Sequence, residues 1–293
     1  MENKSFTFWN RVFGLAIFLI ALTTYSLTVE PTASFWDAGE YISTSAKLQV
    51  GHPPGAPLFQ MIGAFFSLFA SSPESVALMV NLMSVFSSAF TILFLFFTIT
   101  LLFDKIFKFE TYETLIDKLS FFGSASIGAL ALCFSDSFWF NAVEAEVYAM
   151  ATLILSILFY LALKWEKEMN TPRGDRWLLL ISFIIGLSFG VHFMGLLTIP
   201  AIGMLYYFKN YKNITIKGFI IANIISITIL LFIFKLLLPL TLSFFGNAEV
   251  YVVNEIGLPF NSGTILVAII IFSFFYFSLK YTRSKKCVNI NTG

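Results

Sequence analysis

Charge is scarce in this sequence. Asp, Glu, Lys and Arg make up only 12% of its 293 residues, against about 25% in an ordinary soluble domain. So few charges cannot cover the exterior of a water-soluble globule of this size, which excludes an ordinary soluble enzyme. A surplus of positive charge is lacking too. The net charge is +1 and no segment forms a basic domain, which excludes a nucleic-acid binder. Cysteine is nearly absent: Cys133 sits in an apolar run and Cys287 in a basic tail, so no disulfide framework is implied. The apolar/polar alternation of a lipid-facing barrel is missing. No linker, internal repeat, low-complexity tract or soluble domain is visible.

What is present is apolar. Hydrophobic residues reach 58%, with 37 Phe in long unbroken runs. This composition excludes disorder and predicts an all-α, polytopic transmembrane helical bundle forming a single domain over residues 1–293. A span needs about 20 apolar residues. Spans are expected near 12–29, 76–103, 119–135, 147–163, 218–240 and 263–279. The stretch 177–208 contains Gly186, Gly190, His192, Gly195 and Pro200 and divides into two short helices turning near His192. That makes eight spans. The short run 57–70 is expected to lie in the outer interface.

The positive-inside rule supports this arrangement. It puts 16 of 18 basic residues, including Lys4, Arg11, Lys105, Arg173, Lys209, Lys285 and Lys286, in the cytoplasm with both termini. Only Lys47 and Lys235 fall elsewhere. A signal peptide over 1–29 competes with an uncleaved first helix, and the length of the apolar run favours the helix. The expected outer loops are 30–75, 136–146, the turn at His192, and 241–262.

The first outer loop reads Phe35-Trp36-Asp37-Ala38-Gly39-Glu40. Asp37 and Glu40, three apart, share a helix face. One reading is a carboxylate at the membrane surface that accepts a substrate proton. The other is a capping box, with Asp37 as N-cap and Glu40 at N3 of a helix over 38–49. Then comes Gly51-His52-Pro53-Pro54-Gly55-Ala56-Pro57, a stiff bend that folds the loop back on the membrane. His52 either binds phosphate or shuttles a proton, or caps a turn.

The second outer loop carries Glu144 and Glu146 in an apolar stretch, which reads as a pocket edge or as a plain polar loop. Glu144 and Tyr148, four apart, could face one cavity. Lys235 lies five residues from the outer end of its span. It either snorkels to the surface or meets an anionic headgroup. A divalent cation would find hard oxygen ligands in Asp37, Glu40, Glu144 and Glu146, although no spacing demands one.

The blocks Phe35 to Glu40, Leu48 to Leu58, Asn141 to Tyr148 and the Gly190-Val191-His192 turn resemble a bacterial membrane family. That family is related to an animal transmembrane protein O-mannosyltransferase and to the glycosyltransferase C superfamily. The likeness runs from about residue 8 to 208. It implies an inner-membrane enzyme that moves a sugar, mannose for one, from a polyprenyl-phosphate donor to an acceptor protein or glycan hydroxyl on the outer face. It further implies Asp37 as general base, Glu40 as its motif partner, and Glu144 or Glu146 as the second-loop acid. His52, Lys47 and Lys235 are the nearby cations for the leaving phosphate, and His192 falls in the matching turn. The classical protein mannosyltransferases have adjacent Asp-Glu, whereas Ala38 and Gly39 intervene here. Family members are also longer, with a large C-terminal soluble region. The rival readings are a transporter or lipid flippase, and a truncated non-catalytic member.

Overall fold

The computed structural model describes residues 4–109, 114–171 and 174–284. Arg173, Lys285, Lys286 and Cys287 lie outside them. The described residues are helical with no strand, and the protein is an all-α, multi-pass integral membrane protein. The helices are α1 (Lys4–Leu27), α2 (Ala38–Lys47), α3 (Pro57–Ser67), α4 (Val76–Phe107), α5 (Leu115–Cys133) and α6 (Asp136–Ala142). They continue with α7 (Val147–Glu168), α8 (Gly174–Ser188), α9 (Thr198–Asn210), α10 (Ile216–Phe232), α11 (Leu238–Asn254) and α12 (Ser262–Ser284).

Among the described residues six helical stretches are long and apolar enough to cross a bilayer, where eight spans were expected. The difference lies in 177–208. The chain does break there, between Ser188 and Phe193, but α8 has 15 residues and α9 has 13, so neither reaches spanning length alone. A second correction concerns 241–262. A π turn at Ile233–Leu237 joins α10 to α11, so helix runs through Asn254 and the loop expected over 241–262 shrinks to 255–261. Pro239 is tolerated because it enters at the first turn after the π segment. Helix α3 has 11 residues, about 16 Å at 1.5 Å each, too short to span.

The contacts divide the chain into two compact units. The first comprises residues 1–164 and 180–198. Its core forms where α1, α4 and α5 pack together, with Tyr25, Phe96 and Phe122 fully buried. Small residues let these backbones approach, as membrane helices require: Ala21, Ala89, Ala125 and Ala129 are buried at 0% exposure. A Cβ on Gly14 would stand 2.7 Å from the Phe97 ring. The Tyr25 hydroxyl donates to the Cys133 carbonyl at 2.8 Å, closing the end of α5.

The second unit comprises 165–179 and 199–293. Here α12 folds back along α11. The Glu249 carboxylate accepts the amides of Asn261 at 2.6 Å and Thr264 at 2.8 Å, so it satisfies the free N–H groups that open α12. Phe272, Phe274, Phe275 and Phe277 of α12 are exposed, as a helix surface meant for lipid should be.

Candidate active site

The site is built in the first unit, from three segments far apart in sequence. The chain leaving α1 is held by Asn81 of α4. Its side-chain amide donates to the carbonyls of Glu30 at 2.7 Å and Thr32 at 2.9 Å. The Glu30 amide donates to the Val143 carbonyl at 3.0 Å, which ties the loop after α1 to the loop before α7. Phe35 and Trp36 then project outward, 85% and 87% exposed. Trp36 has φ 61, the left-handed region that a bulky residue rarely adopts.

Asp37 follows directly and opens α2, but its side chain makes no capping bond. The capping-box reading is therefore overturned. The backbone of Asp37 is near-helical, φ −84 and ψ −2, whereas a capping side chain needs the extended conformation to reach N2 or N3. Thr114 shows the contrast. It is extended, φ −80 and ψ 160, and shares a reciprocal capping box with Asp117.

Glu40 reaches across to the bend. Its Oε1 accepts the His52 backbone N–H at 2.6 Å, and its Oε2 faces His52 Nδ1 at 3.0 Å. His52 therefore does not cap a turn with its side chain; it is itself gripped by a carboxylate. The close approach needs Gly51, where a Cβ would sit 2.9 Å from Glu40 Oε1. Gly55, at φ 77, returns its amide to the His52 carbonyl at 2.8 Å. The His52 bond holds the Glu40 carboxyl below its ordinary value, and the Glu40 bond raises the His52 imidazole.

Helix α3 then begins with Pro57, whose missing N–H costs nothing there. The next two amides, of Leu58 and Phe59, both donate to the Gly190 carbonyl, at 2.7 and 3.2 Å. This brings the break after α8 to the site. In that break the His192 Nδ1 accepts the Met194 amide at 3.2 Å. Burial lowers its pKa. The Tyr148 ring stands 5.5 Å from it, centroid to centroid.

The two second-loop glutamates part company. Glu144 accepts the Ser34 hydroxyl at 2.6 Å and is absent from the cavity lining, so the expected shared face with Tyr148 does not occur. Glu146 does line the cavity. It is 6% exposed, and burial, then the charge of Asp37, pushes its pKa up to about 7.

The cavity holds about 160 Å³. Asp37, Tyr41, His52, Glu146, Tyr148 and His192 supply its polar lining. Of the expected site residues, Lys47 lies exposed in the last turn of α2, away from the lining. Lys235 sits in the π turn of the second unit, its Nζ 5.1 Å over the Phe234 ring. Tyr41 and Asn81 were not anticipated. Tyr41 is 9% exposed and packs on Phe59 at 5.1 Å. Burial and the charges of Glu146, Asp37 and Glu40 raise its hydroxyl to about 12. Its spacing of four from Asp37 was the available signal. For Asn81 the signal was a lone amide inside an apolar span.

The sequence profile of the protein O-mannosyl-transferase TMEM260 N-terminal domain matches residues 37–215. Protein O-mannosyl-transferase tmem260 of Dictyostelium discoideum is 26% identical over 162 residues, covering 55% of this chain and 18% of that protein. Protein O-mannosyl-transferase TMEM260 of Mus musculus is 28% identical over 179 residues, covering 60% of this chain and 22% of that protein. The chain thus aligns with about a fifth of the length of these curated relatives. No solved structure matches. With more than half of its length inside that profile, the chain belongs to the family of the protein O-mannosyl-transferase TMEM260 N-terminal domain.

Proposed function

We propose that this protein transfers a sugar, mannose in the first instance, from a polyprenyl-phosphate donor to a protein hydroxyl on the outer face of the membrane, on a glycosyltransferase C-like scaffold with both termini cytoplasmic. The observation that carries this reading is the cavity itself. It joins Asp37, whose carboxylate is free of any capping duty, to Glu146, His52, Tyr148 and His192.

A serine or threonine hydroxyl is a poor nucleophile near neutral pH, so a carboxylate must take its proton as it attacks. Asp37 fills that role. The acceptor oxygen forms a bond to the anomeric carbon while the bond from that carbon to the phosphate oxygen breaks. The electron pair leaves with the polyprenyl phosphate, the proton goes to Asp37, and the anomeric centre inverts. Glu40 is a positioning residue for His52. Glu146 titrates near neutrality and supplies the second acid. Tyr148 and His192 give the sugar an aromatic wall. The donor's lipid tail explains a membrane scaffold, because the bilayer delivers such a substrate by lateral diffusion.

The test is sugar transfer by the purified full chain in lipid nanodiscs, with radiolabelled polyprenyl-phosphate mannose and a Ser/Thr-rich acceptor. Transfer that falls about 10²–10⁴-fold in Asp37→Asn supports the reading. Donor uptake by vesicles with no transfer would overturn it in favour of a transporter.

A further inference from the structure

We propose that the groove between α9 and α10 holds one phospholipid with an acidic headgroup, its acyl chain along the groove and its phosphate at Lys212 and Lys217. The groove lies wholly within the second unit and encloses about 610 Å³. Its α10 wall is Gly218, Ile221, Ala222, Ile225, Ser226 and Ile229, spaced three and four apart, which is one helix face. From Gly218 to Ile229 that wall runs about 16 Å, at 1.5 Å per residue. Helix α9 supplies Ile202, Gly203 and Tyr206 as the other wall. Small residues bring the two helices together. A Cβ on Gly203 would collide with the Ser226 hydroxyl, and one on Gly218 with the Tyr207 hydroxyl. A groove this long and apolar suits an acyl chain, not a compact polar ligand.

The polar groups gather at one end, where α9 gives way to α10. The Thr215 hydroxyl accepts the Gly218 amide at 3.0 Å and so caps α10. Tyr211 and Asn213 line the groove beside it and offer donors to a phosphate or glycerol oxygen. Trp165 stacks on Tyr206, centroids 6.4 Å apart, and Tyr207 stands 5.2 Å from Tyr211. A bilayer places Trp and Tyr at headgroup level, so these rings mark the end at which a headgroup lies. Charge decides the kind of lipid. No acidic residue lines the groove. Lys212 and Lys217 alternate with its lining residues and are exposed. Lys209 is already paired with Glu166 at 3.3 Å, whereas neither Lys212 nor Lys217 forms an ion pair among the described residues. Two ammonium groups on flexible stems beside an apolar groove favour a headgroup of net negative charge over a zwitterionic one.

The seated lipid completes a helix that is short by itself. Helix α9 has 13 residues, about 20 Å, and does not cross a bilayer alone. An acyl chain beside it covers apolar surface on both α9 and α10. None of these residues lines the transfer cavity, so this lipid is a resident of the fold and not the sugar donor. Its binding does not depend on the transferase reading.

The experiment is native mass spectrometry of the full chain in detergent, with palmitoyl-oleoyl phosphatidylglycerol or phosphatidylcholine added. One phosphatidylglycerol should stay bound. Each lysine near a headgroup carries about fivefold in affinity, so phosphatidylglycerol should lead phosphatidylcholine by about 25-fold. Lys212→Gln combined with Lys217→Gln should erase that lead. Ala222→Phe should fill the groove and displace the lipid. Lys118→Gln combined with Lys280→Gln removes the same charge from α5 and α12 and should bind as the parent does. Glycerol 3-phosphate, which has the phosphate without the tail, should not bind. Equal retention of the two lipids, an equal loss in the Lys118 and Lys280 pair, unaltered retention in Ala222→Phe, or retention of glycerol 3-phosphate would each overturn the site. A lipid-free dimer would give the groove to a second copy and overturn it too. Phosphatidylglycerol with a photoactivatable acyl chain needs no substitution, so it decides even where a variant fails to fold. Its adducts on the parent should fall within 202–229, and adducts spread evenly over the other spans would refute the proposal.

Discussion

A single carboxylate, Glu40, holds both the backbone amide and the imidazole of His52, twelve residues further along the chain. The pair fixes where the His52 ring points and closes the Pro-rich bend against α2. Glu40→Gln keeps an oxygen for the amide but loses the charge that holds the imidazole. Its sugar-transfer rate should fall on the order of tenfold, less than loss of the general base. Glu40→Ala loses both bonds, and residues 49–56 should become the first site of proteolytic cleavage. A rate for Glu40→Gln as low as that of Asp37→Asn would place Glu40 in the chemistry rather than beside it.

Asp37→Asn separates chemistry from stability more cleanly than the sequence alone implied. The side chain caps nothing, so unfolding should shift by less than about 0.5 kcal/mol. Transfer should drop by about 10²–10⁴. Thermal unfolding and transfer rates on one preparation check both, and a large stability loss would expose a structural duty for Asp37.

Asn81 should matter without touching substrate. Asn81→Leu removes the two bonds to the Glu30 and Thr32 carbonyls, at about 0.5–1.5 kcal/mol each. The melting temperature should fall, and amide exchange should quicken in the loop before α2 first.

Gly190 is the contact point between α3 and the break after α8. A Cβ there would lie 2.7 Å from Leu58 Cβ, so Gly190→Ala forces the two segments apart. About 1–3 kcal/mol of stability should be lost. Gly186→Ala, where a Cβ meets nothing within 4 Å, is the control and should be near neutral.

His192 gives a pH signature. Burial lowers its pKa in the folded state from the ordinary 6.5. The unfolded chain therefore binds a proton first as pH falls. The stability His192 contributes is complete above pH 6.5, erodes as pH drops below that value, and stops eroding below the folded pKa. Melting temperatures between pH 8 and 5 should show this fall in the parent and a flatter profile in His192→Gln.

The parts of the fold written in apolar run length could be read from the sequence, because lipid demands satisfied backbone and helices supply it. Thus α1, α4, α5, α7 and α12 fall where expected, and α2 and α3 lie close to their expected bounds. The continuation through Pro239 could not be read, because a π turn before the proline leaves no composition signal. In the site, the three-residue spacing of Asp37 and Glu40 was visible. It did not reveal that Glu40 would turn to His52 and leave Asp37 free, since that depends on Asp37's backbone angles and on Gly51 leaving room. The meeting of Glu146 with Asp37, 109 positions away, is tertiary, and no local pattern announces it.

The π turn at Ile233–Leu237 also sets the azimuth of everything beyond it. An extra residue in one turn amounts to a phase slip of about 100° in an α-helix. Glu249 faces the amides that open α12 on the far side of that slip. An uninterrupted α-helix over the same residues would aim Glu249 roughly a quarter-turn away, and α12 would return along a different meridian of α11. The bearing of the last hairpin is thus set at Lys235 and its neighbours, about five turns before the chain reverses.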